Sequence, residues 1–246
     1  MDKSYYKIFF NVQKEHWWFS TKKNIVLDAI RIFCKNGFSK QKILDVGCGS
    51  GLMLNSLEVL GETYGMDMSD DAINFSREIY KGVVKKGSLP HSVPYESNSF
   101  TLVVALDVIE HIEDDVSALE AIKDTLVPGG KLIVTVPACM FLWSEHDDLN
   151  EHKRRYSLSE LREKLTVAGF VVEKISYFNS FLFPIISLVR FSNKLFNRVS
   201  ESDVALPSPF INYLLKKIFS AERFFLKFMN FPIGVSILAV AQKVGR

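Results

Sequence analysis

The sequence predicts an α/β fold: a doubly wound, mostly parallel seven-stranded sheet with helices on both faces. Three observations carry this. Short apolar runs alternate with amphipathic stretches throughout residues 42–137, the pattern of repeated strand–helix crossovers. Three glycines, Gly47, Gly49 and Gly51, separate the first run from the stretch that follows. An acid, Asp67, ends the second run, 20 residues after Gly47.

The elements follow in order. Residues 1–36 are mixed and look helical; 24–33 put Ile25, Leu27, Ala29, Ile30 and Phe33 near one stripe, and Gly37 stops the helix. Residues 42–46 form a first strand and Leu52–Leu60 a helix. Residues 63–67 form a second strand, and Asp70–Tyr80 a helix with Ser69 as N-cap. Val83 and Val84 mark a third strand. Phe100–Leu106 is a continuous apolar run, as expected of a central strand covered on both faces. A helix over 114–126 ends at Pro128-Gly129-Gly130, and 131–136 is the fifth strand. Residues 138–156 read as a polar loop. Ser157 caps a helix over 158–168 that Gly169 stops. Strands over 170–178 and 235–241 bracket two Phe-rich helical stretches, broken at Leu206-Pro-Ser-Pro209. The expected organisation is a single domain: an N-terminal cap (1–41), a core (42–137), a loop, helix and strand (138–178), a helical insertion (179–231) and a last strand (232–246).

Composition narrows the function. The 246 residues carry 30 Lys+Arg against 28 Asp+Glu, a net charge of +2. Nothing global therefore favours nucleic acid as a partner. Cys34, Cys48 and Cys139 are odd in number and scattered, so neither a disulfide framework nor a zinc spacing can be built. The N-terminus lacks a signal-peptide pattern, and no run of about 18 uncharged apolar residues occurs. A cytoplasmic protein is expected.

Ligands of such sheets bind at the carboxyl ends of the strands. The loop after the first strand reads G-x-G-x-G, where a dinucleotide site wants G-x-G-x-x-G; residue 52 is leucine. That spacing argues against a nicotinamide enzyme. Asp67 can accept both ribose hydroxyls of a nucleoside.

The segments LDVGCGSG, GMDMS, LPHSVPYESNSFTLVVALDVIEHIED and LVPGGKLIVTVP resemble the successive motifs of class I S-adenosylmethionine-dependent methyltransferases, of the type 11/23 kind, which have a Rossmann-like sheet. The resemblance implies S-adenosylmethionine as cofactor. It implies that Gly47, Cys48, Gly49 and Gly51 border its methionine part and that Asp67 holds the ribose. Met68 would pack on the adenine, Ser88 and Leu89 would flank its edge, and Leu106 and Asp107 would close the pocket. The family usually has an aspartate where Ser88 stands, and an aspartate where Thr101 stands. Glu15-His-Trp-Trp-Phe19 resembles a cap found in a subset of these enzymes. It implies Trp18 on the cofactor and Trp17 towards substrate, with Lys22 or Lys23 in place of that subset's arginine. A sulfonium carries its own activation, so the protein must orient the methyl group and exclude water. A hydroxyl acceptor also needs a base.

Candidates for the base are His111, after the fourth strand, and His146 and His152 in the loop 146–156. Asp147, Arg154, Arg155 and Tyr156 in that loop are expected to bind substrate, the paired arginines suiting a phosphate or carboxylate. His146, Asp147 and His152 have ligand types for a metal but no recognised spacing, so none is expected. Both an O-methyl and an N-methyl product are open, as is a cofactor-binding scaffold without turnover; oxygen is preferred because histidines stand ready to take the proton. The loop after the fourth strand lacks the Asn/Asp-Pro-Pro-aromatic motif of base methylases.

Of 20 phenylalanines, 11 lie between Phe178 and Phe231, among seven basic residues and three acids. Cations interleaved with large apolar residues suit an interfacial helix. Peripheral membrane contact through 179–231, a lid over an apolar acceptor and a homodimer face all remain open. The acceptor is a small molecule or is lipid- or glycan-linked.

Overall fold

The computed structural model describes residues 10–34, 41–196 and 206–245. Gly37, Arg198, Glu201 and Asp203 lie outside them. The strands are β1 (Lys42–Val46), β2 (Glu62–Asp67), β3 (Val83–Lys86), β4 (Phe100–Leu106), β5 (Leu126–Pro137), β6 (Phe170–Phe178) and β7 (Ser236–Lys243). The helices are α1 (Trp17–Phe33), α2 (Leu52–Leu57), α3 (Asp70–Ile79), α4 (Asp115–Thr125), α5 (Glu145–Leu149), α6 (Leu158–Val167), α7 (Phe183–Leu195) and α8 (Pro209–Leu226). The sheet order is β3-β2-β1-β4-β5-β7-β6. All neighbours pair parallel except β7, which runs antiparallel between β5 and β6. The order reverses between β1 and β4, the switch point where a crevice opens at the strand ends.

Sequence and structure agree on the core. Leu102, Val103, Val104 and Ala105 of β4 are fully buried, because helices cover both faces. Ser69 caps α3 by accepting from Ala72 N, and Ser157 and Glu160 form a capping box on α6.

α1 begins at Trp17, inside the stretch expected to be helical, where the His16 ring accepts from Trp18 N (3.2 Å) and caps it. Three boundaries differ. α2 ends at Leu57, where Leu60 N donates to Leu57 O (2.8 Å) and tightens the chain into a turn. β5 starts at Leu126 rather than 131: Leu126 pairs with Phe100 ahead of a register shift, and Gly129 at φ 78° accommodates the irregularity. The expected polar loop 138–156 contains a 3-10 turn (Met140–Leu142) and α5, which Ser144 and Asp147 cap reciprocally.

The insertion α7–α8 between β6 and β7 is anchored on α1. Trp18 stacks on Phe178 (5.8 Å between ring centres) and on Phe219 (5.2 Å). The Asn212 side chain accepts from Trp17 N (2.8 Å) and donates to Glu15 O (3.0 Å). Arg223 pairs with Asp28. Glu222, fully buried on α8, accepts from Phe181 N (2.6 Å) and so holds the turn into α7. Burial pushes this carboxyl up to about 7. The folded protein thus holds a proton that the unfolded chain releases, so stability falls as pH rises from about 4.5 to about 7. The limiting slope is about 1.4 kcal/mol per pH unit. Glu222→Gln should flatten this part of the profile in urea melts at pH 5 and pH 7.5, and an unchanged difference between the two would refute it.

Candidate active site

The glycine loop is shaped by backbone conformations that favour glycine. Gly47, Gly49 and Gly51 sit at φ 69°, 51° and 77°. A Cβ on Gly47 would meet Val108 Cγ2 at 2.6 Å, whereas one on Gly49 would meet almost nothing. The main chain at Gly49 is therefore open to a ligand. Gly51 does not line the cavity; it opens α2 and faces Ser76.

Asp67 ties the loop to the end of β2. Its Oδ2 accepts from Gly49 N (2.8 Å) and its Oδ1 from Ser69 N (2.9 Å). Gly87 N donates to Asp67 O (2.9 Å), which brings the end of β3 alongside. Ser88 pairs with Ser92 through two backbone bonds of 2.9 Å. Asp67, exposed Met68, Ser88 and Leu89 do not line the cavity over the glycine loop.

That cavity measures about 1060 Å³ and lies over the carboxyl ends of β1, β4 and β5. Gly47, Cys48 and Gly49 form its floor, with Trp17, Trp18 and Lys22 of α1 on one side. Lys22, nearly buried, pairs with Asp107. Thr135 Oγ1 also donates to Asp107 (2.9 Å), whose backbone sits at φ 56°. Lys22 thus sits where a cation after the Glu15–Phe19 segment was expected, and its partner is a residue of the chain itself.

The third wall is a histidine cluster. The 138–156 segment is closed at its base, where Tyr156 N donates to Pro137 O (2.9 Å) and Cys139 N to Tyr156 O (3.0 Å). Lys153 N donates to Glu110 O (2.8 Å), which draws the segment onto the turn after β4. His111 and His152 come within 4.7 Å, ring centre to ring centre, and His146 lies 6.2 Å from His152. All three line the cavity. His152 Nδ1 bonds Asp147 Oδ1 (2.8 Å). Burial alone would raise the Asp147 carboxyl, but bonds from His152 and Arg155 outweigh it and hold it well below the usual range. Burial, then the neighbouring His152, lowers the His111 pKa and favours its neutral form.

Several expected substrate contacts are engaged inside the chain instead. Arg155 is buried, donating from Nε and Nη2 to Asp147 (2.8 and 2.9 Å) and from Nη1 to Ala138 O (3.0 Å). Arg154 pairs with Asp115 (3.0 Å) and lies off the cavity. The Tyr156 hydroxyl is buried and donates to Asp115 (2.7 Å). Asp147 has no exposed surface. Of these, only Arg155 lines the cavity, and each is held by a partner within the chain, because a buried guanidinium needs its carboxylate. Trp17 does reach the cavity.

Sequence reasoning missed Asp45, Glu110 and Asn179. Asp45 Oδ2 is buried with no hydrogen-bond partner among the described residues, and Asp45 lines the cavity. Burial, then Asp67, pushes its carboxyl up to about 8. Both Glu110 carboxylate oxygens and both polar atoms of the Asn179 side chain are likewise unpartnered there. The position of Asp45, an acid between Leu44 and Val46 in the buried part of β1, could have flagged it.

These features fit the expected cofactor. A buried carboxylate oxygen without a partner suits a cationic amine, an open glycine backbone admits close approach, and Asp67 retains lone pairs for hydroxyls.

Comparison with known proteins agrees. Residues 44–134 match the family model described as a methyltransferase domain. A ubiquinone biosynthesis O-methyltransferase of Colwellia psychrerythraea is 31% identical over 114 residues, 44% of this chain and 46% of that protein. A probable S-adenosylmethionine-dependent methyltransferase of Mycolicibacterium smegmatis is 29% identical over 164 residues, 65% of this chain and 62% of that one. The chain thus spans about half the length of the curated relatives it matches. Among solved structures, a putative methyltransferase of Haloferax volcanii in complex with a methyltransferase activator superposes with a TM-score of 0.62 at 16% identity, covering 99% of this chain and 96% of that one. Phosphoethanolamine N-methyltransferase 2 of Haemonchus contortus, bound to S-adenosylmethionine, gives 0.57 at 20% identity, covering 90% and 52%. The structural likenesses speak for the fold alone; the sequence matches and the loop geometry make residues 44–134 a domain similar to the class I S-adenosylmethionine-dependent methyltransferases.

Proposed function

We propose that the protein transfers a methyl group from S-adenosylmethionine to a hydroxyl oxygen of an apolar small-molecule or lipid-linked acceptor. The observation that carries this is the opening of the histidine cluster onto the same cavity as the glycine loop. Asp45, Gly47, Cys48, Gly49, Asp107 and Trp18 would hold the cofactor's methionine end, and Asp67, Met68, Ser88 and Leu89 its nucleoside. When bound, the cofactor supplies an activated methyl group. The chain supplies orientation, exclusion of water and a proton acceptor. His152 is the imidazole that Asp147 orients, while His111 and His146 flank it. Ile185, Ile186 and Val189 of α7 and Leu215 of α8 line the far wall, an apolar surface for an acceptor's hydrocarbon part. The O-methyltransferase relatives support the choice of oxygen.

The test is isotope transfer from labelled cofactor to a panel of prenylated phenols and catechols, with matched amines alongside. The expected product is an O-methyl ether. His152→Ala should lower kcat about 100-fold or more while cofactor affinity holds. Methylation of amines alone would move the reading to nitrogen, and cofactor binding with no product from any acceptor would favour a scaffold.

The outer faces of α7 and α8 suit peripheral membrane contact. Leu188, Phe191, Phe210, Phe224 and Phe228 are all more than 60% exposed, with Lys194, Lys217 and Lys227 among them. No helix among the described residues is long and apolar enough to cross a membrane. Purified protein should float with anionic vesicles at low salt, release at high salt and ignore neutral vesicles. Absence of flotation under every condition would make these faces a lid or a dimer contact.

A further inference from the structure

The turn after β4 and the segment after β5 bring Glu110, His111 and His152 together, and we infer that these three side chains bind a divalent first-row cation. Their ligand atoms all lie within 4.8 Å of one another. A tetrahedral site with bonds of about 2.0–2.2 Å sets its ligands roughly 3.5 Å apart. Closing that difference takes side-chain rotation, within the limit that the bond to Asp147 sets for the His152 ring.

The hydrogen bonds around the cluster carry the argument. Metal-binding histidines commonly use their second ring nitrogen on a carboxylate or carbonyl, which fixes the ring. His152 spends Nδ1 on Asp147, itself fixed by Arg155, so Nε2 is the nitrogen left for the cluster. Glu110 is fully buried, and neither carboxylate oxygen has a hydrogen-bond partner among the described residues. A carboxylate in that position is costly unless something cationic meets it. Two imidazoles and one carboxylate satisfy such a cation while leaving coordination positions open. The buried Asp147–Arg155 pair then holds the His152 ring in place for the site.

The open positions face the cavity, since Glu110, His111 and His152 all line it. Insofar as the acceptor is a hydroxyl, the cation would take its oxygen; the O–H bond would break with the electron pair left on oxygen, and the proton would pass to His146 on the same wall, because His152, as a ligand, no longer accepts it. This role rests on the O-methyl reading, whereas the existence of the site does not.

The test therefore uses the full chain without cofactor or acceptor. Chelator-treated protein is dialysed against Zn²⁺, Mn²⁺ or Mg²⁺ and the retained metal counted by mass spectrometry. About one Zn²⁺ or Mn²⁺ per chain is expected, and far less Mg²⁺, a cation that prefers oxygen ligands. Glu110→Gln keeps the side-chain shape and should weaken Zn²⁺ binding at least 100-fold while leaving cofactor affinity within about twofold. X-ray absorption of the wild-type zinc form should show two imidazoles on the metal, a readout independent of whether any variant folds. Substoichiometric uptake, uptake unaffected by Glu110→Gln, or fewer than two imidazoles would each overturn the site. None of these results depends on methyl transfer, so failure here leaves the methyltransferase reading to its own assay.

Discussion

Asp67→Ala should weaken S-adenosylmethionine binding about 100-fold with little loss of fold. The carboxylate accepts from Gly49 N and Ser69 N and keeps lone pairs for the ribose hydroxyls. Hydrogen bonds to a charged group contribute about 1.5–3 kcal/mol each. Losing two to the ribose costs about 3 kcal/mol or more, a little over 100-fold at 25 °C. The loop should also loosen, because Gly49 N loses the acceptor that fixes it against β2. Asp67→Asn keeps one carbonyl acceptor and should fall between alanine and wild type. Titration calorimetry with the cofactor reads both. An alanine variant that binds within threefold of wild type would remove Asp67 from the site and leave it a structural link between loop and strand.

The core was legible because its signals are local. A run such as Phe100–Leu106 can be fully buried only as a central strand, and glycines at 47, 49 and 51 announce a tight turn before any partner is known. Cap residues Ser69 and Ser157 worked for the same reason: a side chain and an amide three residues on are enough. The antiparallel course of β7 between β5 and β6 has no such local signal. It depends on α7 and α8 filling the connection and returning the chain to the opposite edge of β5. α5 shows no apolar period, because Leu149 is its one apolar residue, and a reciprocal cap rather than a buried face sustains it.

The site was legible in its residue types but not in its pairings. His111 and His152 stand 41 positions apart in sequence, and the backbone bond from Lys153 to Glu110 joins them. Nothing in the charge pattern of 146–156 says which groups face outward. Arg155 and Asp147 turn inward to each other, Arg154 turns to Asp115, and the histidines take the cavity. Adjacent arginines look alike in sequence; the closure at Tyr156 separates their directions. Glu110 was overlooked although it adjoins His111, because a fully buried carboxylate is rare enough that the default for a glutamate is solvent.

The second large effect follows from that inward turn. Asp147→Ala should destabilise the protein by about 3–5 kcal/mol, the cost of leaving one member of a buried ion pair behind. For a chain of this size that corresponds to a fall in Tm of about 10 °C. Arg155 is 4% exposed, and its remaining bond to Ala138 O cannot neutralise the guanidinium. Ser144 N loses its cap at the start of α5, and His152 loses the group that orients its ring. Two controls separate this from a substrate-binding role. Arg155→Lys, which cannot donate twice in the same plane, should also destabilise. Asp147→Ala combined with Arg155→Met should recover part of the loss, since removing both charges abolishes the unpaired one. A residue that merely contacted an acceptor would raise KM and leave the melting curve where it was. Calorimetry of the four proteins decides: a shift of less than about 2 °C in Asp147→Ala would mean that the pair is dispensable to the fold, and would return Asp147 to the substrate.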